Sequence, residues 1–364
     1  MANNGMLALG RTLLLPFPKL KARLRRLRDA YRESGKAPYK PTARADFDHA
    51  SGERPLDPFH LEEMISDVEE KDRRIEIAVR CRDMDDVPRV AEAGAVHHLE
   101  DGTRVQIMHN GLRVLADGYY GDWNSRLIEL CHGCHEPQEE RVFHEVMLRI
   151  SPNAAMIELG GYWAFYSLWF LSGGKERKSI VLEPDPKNLA VGETNARLNG
   201  LCAKFVQGFA GKTPLPPTPF KTLTSGEVAV PRVSVQSLME SHGIEELNVL
   251  HCDIQGAEFE VLQGCQQLFR DRRIEFLFVS THYFGPEFDP LIHQRCLALI
   301  LNCGGKIIAE HDIHESFSCD GLIVAYFGDD PQKATPVPVS FNRYSQTYFR
   351  NPLYDLALAR RRFG

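Results

Sequence analysis

Two acidic residues and a glycine pair have the spacing of a nucleotide-binding unit. Glu158 interrupts a short apolar run, Ala155 to Leu159, just before Gly160 and Gly161, and Glu183 follows a second apolar run. Glycines after a first strand let the backbone approach a ligand, because they carry no Cβ. An acid about 20–25 residues further on, at the end of the next strand, is where α/β folds hold a ribose. The pattern therefore predicts an adenosine-bearing ligand across the carboxyl ends of two parallel strands.

The glycine turn favours a methyl donor over a dinucleotide. A pyrophosphate is usually cradled by G-x-G-x-x-G at a helix N-terminus, whereas this turn reads ELGGYWA from Glu158 to Ala164. The third glycine is missing, Tyr162 and Trp163 crowd the pyrophosphate position, and Glu158 would repel phosphate. The same carboxylate suits the ammonium and sulfonium groups of S-adenosylmethionine. An NAD-binding core and an α/β core without a ligand are the alternatives.

A second motif, NVLHCDIQGAEFEVLQG at residues 248–264, places Asp253 at the end of an apolar strand and Gly256 in the following turn. With EPDPKNL at Glu183 and HEPQEERVF at His135, its order and spacing resemble those of FkbM-type methyltransferases. The resemblance extends over about residues 105–326. It implies a class I methyltransferase fold, S-adenosylmethionine as cofactor, and methylation of a hydroxyl on a sugar, glycan or related natural product.

Two positions depart from the usual pattern of that family. Glu158 stands where an Asp is usual, and Gln255 replaces the acid that usually precedes the glycine. The resemblance implies that Glu158 faces the methionine end of the donor, that Glu183 accepts from the ribose, and that the end of the third strand contacts adenine. The predicted donor-binding residues are Glu158, Gly160, Gly161, Glu183, Gln207, Gly208 and Asp253.

Methyl transfer to a hydroxyl needs in-line alignment and benefits from a base that removes the acceptor proton. Asp253 ends the predicted fourth strand and is the first candidate for base or acceptor orienter. A structural role and binding of the donor ammonium are its alternatives. His282 ends the fifth strand, and an imidazole titrates near neutrality. We therefore predict Asp253 and His282 as the catalytic residues.

Other polar and aromatic residues are candidates for acceptor contacts. Tyr119, Tyr120 and Trp123 could stack on a sugar, or they could form the packing between a lid and the core. His311, near the final hairpin, is a further candidate. We assign no metal ligand, although imidazole and carboxylate groups suit several divalent ions. The residues that such an ion would use are Asp253, His282, His311, Asp312, His314 and Asp320.

The run from Cys131 to His135 matches the haem-attachment pattern C-x-x-C-H. We expect no export signal, because no charged segment precedes the apolar stretch from Met6 to Phe17, and this disfavours haem. Its two thiols and two imidazoles could bind zinc. Ligands so close in sequence rarely complete one tetrahedron, so cysteines that merely precede a helix are the favoured interpretation.

Composition favours a soluble, reduced protein. The 364 residues are 43% hydrophobic and 25% charged, which is ordinary for globular chains. A net charge of −6 gives no basis for nucleic-acid binding. Nine cysteines without a regular framework favour the cytoplasm. The basic, leucine-striped segment Lys19 to Arg32 predicts either peripheral contact with the inner face of a membrane or docking on its own domain.

Apolar runs alternate with helical patterns from about residue 156 onward, which predicts a mostly parallel seven-stranded sheet with helices on both faces. A proline-rich insertion, Thr213 to Pro231, interrupts this order. Ahead of the core, Ile75 to Val79 and Val105 to His109 read as strands, and Asn110-Gly111 marks a hairpin turn. We expect these N-terminal elements to form an α+β subdomain that covers the mouth of the sheet.

We divide the chain into a basic extension and linker (1–58), a covering subdomain (59–134), a methyltransferase domain (135–330) and a C-terminal tail (331–364). The tail ends in a short basic helix, Leu353 to Arg362, and packs on the domain or on a second subunit of a homo-oligomer. The rivals to a methyltransferase are an NAD-dependent oxidoreductase or epimerase, and a non-catalytic binding module in glycan assembly.

Overall fold

The computed structural model describes residues 68–282 and 289–342. The predictions for the basic segment Lys19 to Arg32 and for the helix Leu353 to Arg362 concern residues outside these ranges. Within them, no helix is both long enough and apolar enough to cross a membrane.

The N-terminal elements are two helices and a small antiparallel sheet. The hairpin predicted at Asn110-Gly111 is confirmed, since the flanking strands pair antiparallel and Gly111 has φ 87°. The strand predicted at Ile75 to Val79 is wrong. Ile75 and Ala78 lie one turn apart on a helix, where both pack against Leu127. The elements are α1 (Val68–Ala78), β1 (Val96–His98), β2 (Arg104–Ile107), β3 (Arg113–Leu115) and α2 (Asp122–Leu130).

Alternating strands and helices follow, as the hydrophobic pattern predicts. In chain order they are α3 (Pro137–Met147), β4 (Ala155–Leu159), α4 (Phe165–Ser172), β5 (Lys178–Glu183), α5 (Pro186–Leu198), β6 (Lys204–Gln207), β7 (Phe209–Ala210), β8 (Leu215–Lys221), β9 (Glu227–Val233), α6 (Val235–Ser241), β10 (Leu247–Cys252), α7 (Glu258–Arg270), β11 (Ile274–Thr281), α8 (Ile292–Asn302), β12 (Lys306–His311) and β13 (Gly321–Tyr326).

The central sheet has seven strands in the order β12-β13-β11-β10-β4-β5-β6. Strand β13 is antiparallel to both neighbours, and the remaining pairs are parallel. The mostly parallel seven-stranded sheet is thus confirmed. The order of connection reverses between β4 and β10, and open α/β sheets bind ligands at the carboxyl ends of the strands at such a switch point.

Apolar side chains cover both faces of this sheet. Successive residues of a strand point to opposite faces, so Met156 and Ile157 of β4 belong to different apolar clusters. One cluster includes Phe143 of α3 and the other includes Leu262 of α7. Helices therefore pack on both faces, and the sheet positions its polar residues at the strand ends.

The proline-rich insertion forms a second three-stranded sheet, in the order β7-β9-β8. Strand β8 lies at the edge, so the prolines at 216, 217 and 219 need no amide hydrogen for an outer partner. The register shifts between Leu215 and Thr218, which is where two of these prolines lie. The prolines mark this segment as an insertion in the sequence, and no local pattern predicts the sheet that it forms.

Two long-range contacts fasten peripheral segments to the core. The side chains of Asn195 on α5 and of Asn199, the residue just after α5, accept hydrogen bonds from the backbone N–H groups of Leu115 and Arg113 in β3, both at 2.8 Å. At the other end of the chain, the Val337 N–H donates to the Ile308 carbonyl at 2.7 Å, and the Val337 side chain is buried. The first residues of the predicted tail therefore pack on this domain.

Candidate active site

A cavity of about 540 Å³ lies at the carboxyl ends of β4, β5 and β10. This is within the range of roughly 300–1,000 Å³ that small-molecule sites occupy. Lys221 is the only Lys or Arg among its described lining residues. Its lining carboxylates are Glu136, Glu158, Glu183, Asp185 and Asp253. His135 and His251 also line the cavity, so its five carboxylates face three basic side chains. This excess of carboxylates favours a cationic ligand over a phosphate.

Gly160 and Gly161 line this cavity, and close packing explains why both positions are glycine. A Cβ on Gly160, which has φ 76°, would overlap the Asp253 carbonyl oxygen, and a Cβ on Gly161 would overlap Val181. Both glycine N–H groups donate to the Leu182 carbonyl, at 2.9 and 3.1 Å. They are therefore unavailable to a pyrophosphate, and the turn brings the end of β4 against the end of β10.

Glu183 lies at the end of β5 with 5% exposure. Its two carboxylate oxygens accept from the backbone N–H groups of Asp185 and Tyr162, at 2.9 and 3.1 Å. Burial raises the pKa of Glu183 to about 7, although these hydrogen bonds oppose the shift. The carboxylate is fixed in the cavity wall, where it can accept hydrogen bonds from vicinal hydroxyls.

Asp185 links the end of β5 to the β8–β9 hairpin. Its Oδ1 accepts from the Lys187 N–H at 2.9 Å and caps α5. Its Oδ2 accepts from the backbone and hydroxyl of Thr224, both at 2.8 Å. Burial opposes ionisation here, but hydrogen bonds from Ser225 and Thr224 lower the pKa of Asp185 below its usual value. The hairpin is thereby held over the cavity.

The hairpin and the end of β6 form an apolar part of the wall. Phe220 of β8 stacks on Phe209 of β7, with ring centroids 4.6 Å apart and an interplanar angle of 22°. Gly208, Phe209 and Phe220 all line the cavity. A flat aromatic ligand such as a purine fits this surface, because aromatic rings prefer stacked contacts.

Glu158 and His251 are register partners on β4 and β10 and lie under the opposite end of the cavity. The His251 Nε2 lies 2.6 Å from Glu139 Oε1 on α3. Burial alone would lower the pKa of His251, but the Glu139 and Glu158 carboxylates raise it to about 9. Burial raises the pKa of Glu158, and its Oε2 accepts from the Ser167 N–H at 3.0 Å.

Aromatic rings form the outer wall. Tyr119 stacks on Trp163 with ring centroids 4.5 Å apart and an interplanar angle of 5°. Its ring also meets Tyr162 edge-on at 4.9 Å, and Tyr120 lies 5.3 Å from Tyr162. Tyr119 and Tyr120 therefore line the cavity and also pack against the core, and their contact with an acceptor stays a prediction.

Asp253 lies at the end of β10, and its side chain is 23% exposed in the cavity wall. Its Oδ1 lies 3.4 Å from His282 Nε2. Burial raises the pKa of Asp253, the neighbouring His282 opposes this, and the Asp320 carboxylate adds to it. The arrangement gives a carboxylate with an increased affinity for a proton at the carboxyl edge of the sheet.

His282 lies behind Asp253 and between further carboxylates. Its Nδ1 is 2.8 Å from Glu258 Oε1, and its Nε2 is 3.0 Å from Asp320 Oδ1. Burial opposes the charged form, but Asp320 and Glu258 raise the pKa of His282 well above its usual value. The ring contacts the cavity through Asp253 and through the Gln255 amide, whose Nε2 is 3.1 Å from His282 Nε2.

Besides His282, three predicted site residues do not line the cavity. The exposed Gln207 side chain donates to the Pro184 carbonyl at 3.3 Å. Trp123 lies behind Tyr120, with ring centroids 6.4 Å apart. His311 is 1% exposed, and its Nδ1 is 3.2 Å from the Asp312 carbonyl. Of the residues considered for a divalent ion, the structure brings Asp253, His282 and Asp320 together.

Sequence reasoning missed several lining residues. Glu136 Oε2 accepts from the Tyr166 hydroxyl at 2.9 Å and lies 3.1 Å from His135 Nε2. His251 occupies a buried position of an apolar strand, which is a signal that could have been read. No local signal identifies Phe220, because its role depends on how the hairpin folds over β6.

Strained backbone also concentrates around the cavity. Tyr120, Tyr162 and Gln255 have φ values of 53°, 37° and 56°, in the left-handed region that residues with a Cβ seldom adopt. Such conformations cost about 1–3 kcal/mol each and cluster at functional sites. All three residues line the cavity, so the surrounding packing holds a strained wall in place.

The strand order and the switch-point cavity define a class I methyltransferase fold. Residues 152–307 match the family model described as the methyltransferase FkbM domain. The family resemblance in the motifs is therefore confirmed for this part of the chain. Comparison with curated proteins gives no match.

Among solved structures, the chain is similar to a precorrin-6y C5,15-methyltransferase from Geobacter metallireducens, at 12% identity and TM-score 0.33, over 51% of this chain and 88% of that one. It is similar to a SAM-dependent methyltransferase from Aquifex aeolicus, at 11% identity and TM-score 0.32, over 51% and 89% of the respective chains. It is also similar to M. capricolum TrmK, solved with S-adenosyl-homocysteine, at 10% identity and TM-score 0.32, over 54% and 74%.

Proposed function

We propose that this protein transfers a methyl group from S-adenosylmethionine to a hydroxyl of a sugar, glycan or related natural product. The observation that carries the proposal is the acidic cavity at the switch point, with Asp253 in its wall. The choice of a hydroxyl as the acceptor, rather than an amine or a carbon atom, rests on the family resemblance.

Three parts of the cavity match the three parts of the donor. The stacked Phe209 and Phe220 would hold the adenine, and the fixed carboxylate of Glu183 would accept from the ribose hydroxyls. Glu158 lies by the opposite end, where a carboxylate would stabilise the ammonium or the sulfonium. S-adenosylmethionine supplies an electrophilic methyl group when it is bound.

The acceptor would lie between Asp253 and the aromatic wall of Tyr119 and Tyr120. An acceptor oxygen attacks the methyl carbon as the carbon–sulfur bond breaks, and Asp253 takes the hydroxyl proton. A raised pKa makes Asp253 a stronger base once it is ionised. His282 would act as a positioning residue, since both its nitrogens face carboxylates. This differs from the role of base that its sequence position suggested.

The NAD-dependent alternative conflicts with the geometry. A pyrophosphate carries two negative charges and needs free backbone N–H groups, whereas Gly160 and Gly161 donate to Leu182. The non-catalytic binding module differs from an enzyme only in turnover, so experiment must separate the two. A cytoplasmic location, membrane contact through Lys19 to Arg32, a homo-oligomer and the absence of a nucleic-acid partner are proposals from the sequence.

Calorimetric titration with S-adenosylhomocysteine, with NAD in parallel, tests the donor assignment. We expect the wild type to bind S-adenosylhomocysteine with micromolar affinity. Glu183→Ala should bind it with a free energy about 1–3 kcal/mol less favourable, because charged hydrogen bonds are lost. Glu193→Ala, an exposed position on α5, is the matched control and should bind as the wild type does. Binding of NAD alone would overturn the proposal. Donor binding without turnover on a panel of hydroxylated glycans would favour the binding module.

A further inference from the structure

A buried cluster of potential metal ligands lies outside the donor cavity. His109 follows β2, Cys134 precedes α3, and Glu140 lies within α3. One ligand atom from each lies within 4.8 Å of the others. The three side chains are at most 1% exposed. Three separate segments thus bring an imidazole, a thiol and a carboxylate to one point, and we name this the His109–Cys134–Glu140 cluster.

Hydrogen bonds within the described residues leave part of this cluster unsatisfied. Glu140 Oε1 accepts from the backbone N–H groups of His135 and Glu136, at 2.7 and 3.0 Å. Its Oε2 lies 3.3 Å from His109 Nδ1 without a hydrogen bond between them, and His109 Nε2 has no hydrogen-bond partner in that part of the chain. A buried polar atom without a partner costs about 1–3 kcal/mol. A cation bound by one ring nitrogen of His109 and by Glu140 Oε2 would remove part of this cost.

The spacing of the cluster fits a tetrahedral ion. Zinc binds thiolate, imidazole and carboxylate with bonds of about 2.0–2.3 Å, so its ligand atoms lie about 3.3–3.8 Å apart. His109 Nδ1 and Glu140 Oε2 are 3.3 Å apart. No two ligand atoms of the cluster are more than 4.8 Å apart. Zinc binding therefore requires them to move closer together by about 1 Å at most.

Charge in the surroundings is compatible with an ion. A thiolate and the Glu140 carboxylate together balance the two charges of Zn²⁺ when His135, whose Nδ1 lies 2.7 Å from Glu140 Oε1, is neutral, and a neutral site avoids the cost of burying net charge. A cavity of about 60 Å³ lies against Cys134 and is also lined by Cys81 and Cys131, but neither His109 nor Glu140 lines it. The proposed site therefore has three protein ligands.

We propose that the His109–Cys134–Glu140 cluster is a zinc site that fastens the β2–β3 connection to α3. The residues between two of its ligands, His135 and Glu136, line the donor cavity. Zinc would therefore hold this part of the cavity wall in place. The site uses one cysteine of the C-x-x-C-H run and takes its imidazole from His109, which is distant in sequence. The proposal does not depend on the methyl acceptor.

Metal analysis of the full chain tests the site. Protein purified without chelator and dialysed should retain about one zinc ion per chain by inductively coupled plasma mass spectrometry. After removal of zinc and addition of Co²⁺, a thiolate-to-cobalt charge-transfer band should appear in the near ultraviolet. Cys134→Ser should lose both the zinc and the band. Cys202→Ser, at an exposed cysteine, is the matched control and should keep both.

A second variant keeps the thiol and removes another ligand. His109→Gln should bind Co²⁺ at least about tenfold more weakly than the wild type, and zinc should raise the unfolding temperature of the wild type but not that of this variant. Folded wild-type protein that shows neither zinc nor a cobalt band overturns the proposal, as does a band that persists in Cys134→Ser. If neither variant folds, the wild-type zinc content and cobalt titration decide.

Discussion

Replacement of Glu183 by Gln should remove the loss of stability that the wild type shows at high pH, and it should weaken binding of the donor. The Glu183 carboxyl is 5% exposed, and burial raises its pKa from 4.5 to about 7. Gln has nearly the same shape and no ionisable group, but its NH2 group replaces one of the two oxygens that accept from backbone N–H groups. That loss does not depend on pH, so the pH dependence of the comparison isolates the carboxylate charge. The wild type therefore retains a destabilising charge at the position where we place the donor ribose.

The sign and size of the effect follow from the linkage between protonation and folding. Because the pKa of Glu183 is higher in the folded chain, its stabilising contribution is fully present below pH 4.5 and is lost as the pH rises through about 7. The difference between the two values corresponds to about 3 kcal/mol. From about pH 4.5 to about pH 8, the unfolding free energy of the wild type should fall by that amount relative to Glu183→Gln.

Urea unfolding at a series of pH values measures this difference. Glu193→Gln, on the exposed side of α5, is the control and should follow the wild type at every pH. Curves for Glu183→Gln that stay parallel to those of the wild type would refute the claim that the carboxylate is desolvated in the free protein. Saturating S-adenosylhomocysteine should reduce the advantage of Glu183→Gln, because the ligand stabilises the wild type more.

Three further outcomes are expected. In urea unfolding, Gly160→Ala should lower the free energy of unfolding by at least about 2 kcal/mol, because the new Cβ would meet the Asp253 carbonyl. Gly200 also has a positive φ but lies in open space, so Gly200→Ala should lower it by only about 1 kcal/mol. Asp253→Asn should lower kcat by about 100-fold or more while calorimetric affinity for S-adenosylhomocysteine changes little; full activity would remove Asp253 as the base. Phe220→Ala should weaken that affinity by about 1 kcal/mol through lost stacking, whereas Glu227→Ala, exposed on the same hairpin, should not.

The elements that could be predicted were those with a local signal. Alternating apolar runs and helical patterns indicated the seven strands of the central sheet, and Asn110-Gly111 indicated the hairpin. Ile75 to Val79 was read wrongly, because five residues rich in β-branched side chains resemble a strand. Packing on Leu127 decides the helix there, and that contact is not visible in a short window of sequence.

The candidate site was predictable at the strand ends and less so elsewhere. Glu158, Glu183 and Asp253 line the cavity because the carboxyl ends of parallel strands meet at one edge. The exposed side chain of Gln207 does not line it, because it bonds to Pro184 instead. Phe220 lines the cavity only because the β8–β9 hairpin forms, and the prolines of that segment are more typical of a loop.

The sequence by itself determined the fold class, the family resemblance and the acidic residues of the cavity, since each is carried by residue types at short, regular spacings. Only the tertiary structure decided which groups meet and how their surroundings shift their pKa values. Glu258 and Asp320 surround the buried His282 ring and raise its pKa. Ligand atoms of Cys134 and His109, which are distant in sequence, lie within 4.8 Å of each other. Desolvation and contacts between distant segments set both outcomes, and neither is encoded in a local pattern.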